Sequence, residues 1–436
     1  MDMDTDVVVV GAGLAGLRCA DELAEAGCDV VVLEAEDEVG GRIRTDRVDG
    51  FQVDRGFQLL NPAYPAVRRW VDADALDLGT FEAGVAALGT ERLLRLGHPL
   101  RAPGLLGSTL RGAAGEVRGL PGLLRWLRPL TRDPRGRRLD ALAREPDTTL
   151  AASLDAARLS GTLRRVLERF FAGVLLDDTG TSSATFARLL TASFLAGDPG
   201  LPAAGMQALP RQLAAPLGGR VRLGTPVAGI EVRGDGFDVR TDDGPIGCRR
   251  VVVATGPVAA STLTGLPEHP MRGVVTHWYA ADRAPTASRL LHVDARPRPT
   301  GPLVNTAVVS HAAPTYAPAG SHLVQASALL EADGVAPSEP VMRRHAAELL
   351  GDDGFADWQS LARHEIRHAL PVQAPPLVVA RPVVLPSGVV VCGDHRDTAS
   401  SQGALVSGHR AAQAVLDRIG PGRRSGIRPG GPAPAS

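Results

Sequence analysis

Residues Val7 to Arg42 read VVVVGAGLAGLRCADELAEAGCDVVVLEAEDEVGGR. The valine run Val7–Val10 has the composition of a strand buried on both faces, as in a parallel sheet. Gly11, Gly13 and Gly16 follow at once. Between a strand and a helix each glycine has its own task. Gly11 permits the tight turn, Gly13 lets a pyrophosphate approach the backbone, and Gly16 lets the helix pack close to the sheet. Leu14, Leu17 and Leu23 give that helix an apolar stripe, and Gly27 stands where a C-cap is expected. Leu14 and Ala15 open the helix, where free N–H groups and the positive end of the dipole solvate phosphate. A second apolar run, Val30–Leu33, ends in Glu34 and Ala35. A carboxylate there accepts hydrogen bonds from an adenosine ribose hydroxyl and repels the 2′-phosphate of NADP, which leaves FAD or NAD. The bland alternative is a strand–helix–strand unit whose glycines serve packing alone.

At 436 residues the chain is long for one core, so two domains are expected. A hydrophobic content of 44% with mean hydropathy +0.01 describes a soluble globular protein. A formal net charge of −1 gives no basis for nucleic-acid binding. No run approaches the roughly 18 to 20 apolar residues of a membrane span. Met1–Asp6 is short and acidic, so no secretory leader is expected. Cys19, Cys28, Cys248 and Cys392 stand singly without CxxC spacing, which fits a reducing cytoplasm and disfavours a disulfide framework or zinc site. All 47 basic residues are arginine, so any mechanism that needs a lysine is excluded.

Further segments extend the first. Gly40-Gly41-Arg42 leads into Phe51-Gln52-Val53-Asp54-Arg55-Gly56-Phe57-Gln58. Pro202–Leu213 reads PAAGMQALPRQL, and Val221–Val227 reads as a strand. A hairpin turning at Gly234 and Gly236 then precedes Val251-Val252-Val253-Ala254-Thr255-Gly256. Near the end, Gly388–Asp394 reads as a buried strand closing in Gly393-Asp394, and a small-residue helix opens at Ser401-Gln402-Gly403-Ala404. Together these motifs resemble the superfamily of flavin-containing amine oxidases, phytoene desaturases and protoporphyrinogen oxidases, nearer its desaturase-like branch.

The resemblance implies an α/β fold with a Rossmann-like FAD-binding domain interleaved with an α+β substrate domain. The FAD domain would comprise 1–80, 203–264 and 380–420, and the substrate domain 81–202 and 265–379. The tail 421–436, rich in Gly, Pro and Arg, is expected to be disordered. By the same resemblance Arg42 reaches the FAD pyrophosphate, with Gly41 beside it, and Gly56, Phe57 and Gln58 lie near the flavin ring. Val227 meets adenine, and Ala254 and Thr255 form a third approach to the cofactor. Asp394 takes the ribityl or pyrophosphate side. Gln402, Gly403 and Ala404 then point a helix N-terminus at the flavin, where dipole and N–H donors stabilise negative charge.

The expected cofactor is non-covalent FAD, since Cys392 lies inside its strand. Only one dinucleotide fingerprint is present, so oxygen, a quinone or another acceptor reoxidises the flavin. Lysine is absent, and Ala399-Ser400-Ser401-Gln402 occupies the region where amine oxidases of the superfamily often carry an aromatic. The favoured reaction is therefore hydride removal from a C–H of a small or lipophilic organic molecule. Two alternatives stay open, a lysine-independent amine oxidase and a flavin-assisted isomerase or non-catalytic flavoprotein.

Catalytic residues are the least legible. Gln58, His277 and Tyr279 are candidates, the last two because period-two spacing puts them on one strand face. His364, Glu365 and His368 imitate a helical HExxH zinc motif, but Pro371 follows closely and no metal is expected. Residues 91–138 hold 11 arginines against Glu91, Glu116 and Asp133, a local balance of +8. That stretch suits either peripheral contact with an anionic membrane or a solvated helical face. The oligomeric state is left open.

Overall fold

The computed structural model describes residues 4–98, 101–105, 107, 119–131, 146–330 and 334–419. The expected disordered tail 421–436 and much of the arginine-rich stretch lie outside the described residues.

Two large sheets organise the chain. The first runs, from one edge to the other, through Val227–Arg233, Gly236–Thr241, Gly244–Val253, Thr5–Val10, Val30–Leu33 and Val221–Arg222, with Val390–Val391 also paired to Gly244–Val253. Its centre is parallel, and Val227–Thr241 adds an antiparallel hairpin. The valine run is explained by burial on both faces. Val7 and Val9 pack into one apolar cluster and Val8 and Val10 into another. The first cluster holds the Leu14–Glu25 helix and the Ser401–Ile419 helix. These helices approach so closely that a methyl group at Gly408 would stand 2.2 Å from the Ala15 carbonyl oxygen.

The second sheet runs through Gln359–Pro371, Met271–Ala281, His322–Leu329, Leu303–Val308, Leu291–Asp294, Gly84–Leu88 and Leu93–Gly97. Every neighbouring pair is antiparallel except Leu291–Asp294 with Gly84–Leu88. The Glu339–Leu350 helix covers its outer face through Met342, Ala346 and Leu350, which pack with Val275, Tyr279 and Val324. The Gly161–Leu175 helix lies on the inner face, where Val166 meets Val293. At the other end of that face Trp278 joins the core of the first sheet.

Two strand expectations and one helical one change in detail. Val221–Val227 is not continuous, because Gly224 at φ 60° separates the two-residue strand Val221–Arg222 from the one beginning at Val227. The segment before Asp394 is extended only at Val390–Val391. His364-Glu365-Ile366-Arg367-His368 lies inside the Gln359–Pro371 strand, not on a helix. Alternation then sends His364 to Asp46 and Glu365 the other way, to Arg363 and Arg367.

Candidate cofactor and substrate site

The glycine turn is closed by backbone. A methyl group at Gly16 would lie 2.0 Å from the Gly11 carbonyl oxygen, and one at Gly11, whose φ is 103°, would lie 3.0 Å from the Ala254 carbonyl oxygen. Neither position has room for a side chain. Gly13 differs, since a methyl group there would meet no atom within 4 Å, and one at Gly41 would meet only the Gly13 Cα, at 3.7 Å. Gly13 and Gly41 thus lie side by side, their bare backbone facing an open space. Glu34 is buried at its rim, accepting hydrogen bonds from the Ala12 N–H at 2.6 Å and the Glu36 N–H at 3.1 Å. Ala35 follows it on the surface, and Leu14 and Ala15 are buried in the helix opening.

Arg42 and Asp394, 352 positions apart, form an ion pair at 2.6 Å, with the carboxylate buried and the guanidinium about one-third exposed. Arg42 also donates to the Ala369 carbonyl at 2.8 Å, which ties the cofactor-side arginine to the second sheet. Gln58 donates to the carbonyls of Arg42 and Arg55. Phe57 meets Phe81 edge to face at 5.9 Å, and the Ile366 side chain closes over Gly56. Thr255 has a buried hydroxyl with no hydrogen-bond partner, beside the Gly11 turn. An open bare-backbone cradle, an arginine at its mouth and an orphaned hydroxyl suit a ligand rich in anionic and hydroxyl oxygens. These residues fit a dinucleotide.

Four further predicted contacts, Gln402, Gly403, Ala404 and Val227, have partners of their own within the chain. Gln402 spends its side-chain oxygen on the Ala66 N–H at 2.8 Å. The Gly403 N–H is taken by the Ser400 hydroxyl, and the Ala404 N–H bonds the Ser400 carbonyl. Val227 sits half-buried at the start of its strand, opposite Thr241.

His277 and Tyr279 require correction. They do share a face, their rings stacked 6.0 Å apart, but it is the outer face beneath the Glu339–Leu350 helix. Arg343 from that helix lies over the Tyr279 ring. Burial, helped by Arg363 and Arg343, pushes the His277 pKa down, and burial pushes that of Tyr279 up. The inner face belongs to Thr276 and Trp278. Thr276 heads a buried chain of hydrogen bonds through Ser327 and Gln325 to Asn305. Gly173 on the Gly161–Leu175 helix leaves space for Asn305.

Asp54 has a larger role than its turn suggests. Its carboxylate accepts from the Thr45 hydroxyl at 2.5 Å, the Met206 N–H at 3.0 Å and the Tyr316 hydroxyl at 2.9 Å, while its carbonyl accepts from Trp278 at 3.1 Å. Burial pushes its pKa up to about 6 against these hydrogen bonds. The Asp-x-Gly pattern marked the turn. Nothing local marked Tyr316 and Trp278, which lie more than 220 positions away.

Leu370, which follows the Ala369 that Arg42 holds, belongs to an apolar cluster. Leu370, Leu377 and Ala399 pack with Phe170, Val174 and Phe194. Phe170 meets Phe194 at 5.4 Å and Phe171 at 5.5 Å, both edge to face.

The sequence pattern of the family described as flavin containing amine oxidoreductase matches residues 14–416. The chain belongs to that family. Its cofactor is accordingly FAD. This flavoprotein is 33% identical over 280 residues to the Mycobacterium tuberculosis protein AofH, whose name places it among flavin-containing monoamine oxidases. The match covers 58% of this chain and 57% of that relative. A 75-residue match, 17% of the chain and 16% of the relative, is 45% identical to putrescine oxidase of Kocuria rosea. Among solved structures, putrescine oxidase bound to putrescine superimposes with a TM-score of 0.67 at 20% identity, covering 95% of this chain and 99% of the other. Cyclohexylamine oxidase from Brevibacterium oxydans gives 0.66 at 17%, covering 95% and 99%. At such identities the likeness is one of fold. Among the described residues no helix is long and apolar enough to cross a membrane.

Proposed function

We propose that the flavoprotein removes hydride from a C–H of a small or lipophilic organic substrate. FAD, when bound, supplies the two-electron acceptor. The observation that carries this reading is the apolar wall of Phe170, Val174, Phe194, Leu370, Leu377 and Ala399, which begins one residue from the carbonyl that Arg42 holds. Phe170, Val174 and Phe194 are only partly buried and so present ring and methyl surface. Such a wall excludes water and orients an apolar molecule by shape.

In this reading residues 1–80, 203–264 and 380–420 bind the cofactor and residues 81–202 and 265–379 bind substrate. Gly13 and Gly41 admit the pyrophosphate, Gly11 and Gly16 shape the turn that presents it, Arg42 neutralises it, and Glu34 takes the adenosine ribose. Gly56 to Gln58 lie by the flavin, with Gln58 holding the Arg42 carbonyl in place. Thr255 and Asp394 complete the ribityl side.

Oxidation of an amine without lysine is the second reading, favoured by the 33% identity to the protein AofH. Anaerobic incubation of the FAD-loaded protein with lipophilic polyenes, porphyrinogens and amines distinguishes them. Loss of oxidised-flavin absorbance with apolar members of the panel is expected. Bleaching by small polar amines alone overturns the first reading in favour of the second.

A further inference from the structure

The segment 374–381 reads APPLVVAR, with no charged or hydrogen-bonding side chain before its closing arginine. Ala374, Pro376, Val378, Val379 and Ala380 are all exposed, Val378 to 44% and Val379 to 40%. Among the described residues, these valines are the only large exposed apolar side chains adjacent in sequence. The display is not slack chain, because bonds at every fourth residue pin the loop from beneath. The Gln373 carbonyl accepts from the Ser183 N–H at 2.7 Å, and the Leu377 N–H donates to Asp147 at 2.7 Å. The Arg381 N–H donates to the Arg396 carbonyl at 2.9 Å. Leu377 packs against the buried cluster that holds Phe171 and Ala399, which leaves Val378 and Val379 outward on a fixed base. Contiguous apolar surface of this kind marks a contact with something outside the chain.

Beside the valines stand cations in surplus. Among the described residues neither Arg381 nor Arg396 has a carboxylate partner, and the Nε–H of each is buried without an acceptor. Arg396 donates to the Pro382 carbonyl. Arg410 donates to the Arg381 carbonyl at 2.6 Å and takes the neighbouring Asp397 for itself, at 3.4 Å. Burial, with Arg381 and Arg410 close by, pushes the Arg396 pKa down. Three guanidinium groups thus gather around one carboxylate, an arrangement that an outside anion relieves. An apolar tip with cations at its foot matches the layering of a membrane surface, where acyl chains lie beneath phosphates. A protein partner would find no polar side chain on the tip to read, whereas a lipid surface needs none. A second copy of this chain would bring the same positive surplus against itself.

We propose that 374–382 is a membrane-docking loop, with Pro376, Val378 and Val379 entering the interfacial layer of an anionic bilayer while Arg381 and Arg396 meet lipid phosphates. The contact is peripheral and reversible, since two valines and two arginines make a weak anchor. Leu377 belongs to the apolar cluster assigned to the substrate, so docking brings the bilayer beside that cluster. Docking itself depends on neither the substrate reading nor FAD.

The FAD-loaded full chain is sedimented with vesicles of phosphatidylcholine alone and of phosphatidylcholine mixed with phosphatidylserine, at low and at raised salt. The parent is expected to bind the mixed vesicles, to bind phosphatidylcholine about tenfold more weakly, and to be released by salt. Val378→Asp combined with Val379→Asp should lose about tenfold or more in affinity, and Arg381→Gln about fivefold, with flavin content and thermal midpoint kept. Val379→Trp has the opposite sign. It should bind more tightly than the parent, with emission shifted to the blue when mixed vesicles are added, a gain that no folding defect imitates. A parent that stays in solution with mixed vesicles at low salt overturns the proposal, as does binding that the paired aspartates leave within twofold. Binding that Arg125→Gln with Arg128→Gln abolishes while the loop variants retain it assigns the membrane to the arginine-rich stretch and overturns the loop. A dimer that the paired aspartates dissolve, without any lipid binding by the parent, makes the loop a face between copies and overturns it too. Failure of every lipophilic substrate to bleach the flavin would sink the substrate reading and leave the vesicle result standing.

Discussion

The two sheets present their chemistry by different means. In the sheet built around Thr5–Val10 the groups we assign to the cofactor are mostly backbone, laid bare at Gly13 and Gly41, while Gly11 and Gly16 pack so closely that an added methyl group would stand 2 to 3 Å from a backbone carbonyl oxygen. In the sheet built around Met271–Ala281 the working groups are side chains, and the parity of the strand decides which of them face the first sheet's core. Thr276 and Trp278 face inward, and His277 and Tyr279 face outward. Backbone chemistry tolerates almost no substitution. Side-chain chemistry tolerates many, provided the alternation is kept.

The largest effect should come from testing that difference directly. Gly16→Ala drives a methyl group into a backbone oxygen that cannot move without breaking the turn, so loss of FAD and of stability by about 3 kcal/mol or more is expected. Gly173→Ala on the second sheet's helix is the paired control. Its methyl group would lie 2.4 Å from Asn305 Nδ2, the end of a side chain that can yield by a small turn of its amide while Oδ1 keeps its bond to Gln325, and the cost should stay near 1 kcal/mol with FAD retained. Urea denaturation and flavin content of the purified variants decide the matter. Equal losses for the two would erase the contrast.

Next in size is the Arg42–Asp394 pair, where the arginine assigned to the cofactor also holds the second sheet through Ala369. Arg42→Ala leaves the Asp394 carboxylate buried without its partner and frees Ala369, and FAD affinity should fall about 100-fold. Asp394→Asn, which keeps a hydrogen-bonding group, should lose about tenfold. Fluorescence titration of stripped protein reads both. An Arg42→Ala protein with parental affinity would show the arginine to be a strut between sheets and nothing more.

These two regions were not equally readable. The glycine turn, Glu34 and the Gly40-Gly41-Arg42 triplet are local, and each residue type has one physical use at its position. The Met271–Ala281 strand was readable as a strand but not in its facing, because it is buried on both sides from Val274 to Ala281 and alternation of burial gives no cue. The HExxH-like run fails for a related reason. His364 and His368 share a face in a strand as they would in a helix, so spacing alone does not separate the two. Asp54 shows a further limit, since its turn is local but Met206, Trp278 and Tyr316, which give it meaning, come from three distant segments.

Asp54 joins the two regions, and its titration supplies a third test. Its folded-state pKa, about 6, lies above the ordinary carboxylate value of 3.8, so the folded protein holds the proton more tightly than the unfolded chain. The contribution of Asp54 to stability is therefore intact below about pH 4, declines as pH rises from about 4 to 6, and stays reduced above that. Asp54→Asn removes the titration. The stability difference between parent and variant should change by about 2 to 3 kcal/mol across that window, with the parent losing ground as pH rises. Denaturation curves at pH 4, 5, 6 and 7.5 measure it. A parent-minus-variant difference that is flat, or that grows with pH, contradicts the assignment.

The smallest expected effect bears most directly on facing. His277 is buried on the outer face with both ring nitrogens unpaired, so His277→Leu removes an unsatisfied polar ring without touching the flavin side. Stability should stay level or rise by up to about 1 kcal/mol, and the rate of anaerobic flavin reduction should remain within twofold of the parent. Thr276→Val, one position along, breaks the hydrogen bond to Ser327 on the inner face and should disturb the Ser327–Gln325–Asn305 chain. Its reduction rate should shift more than that of His277→Leu even though the substitution is closer in shape. If His277→Leu slows flavin reduction tenfold while Thr276→Val leaves it alone, the strand presents its odd positions to the flavin, and the inward role given to Thr276 and Trp278 falls with the outward one given to His277.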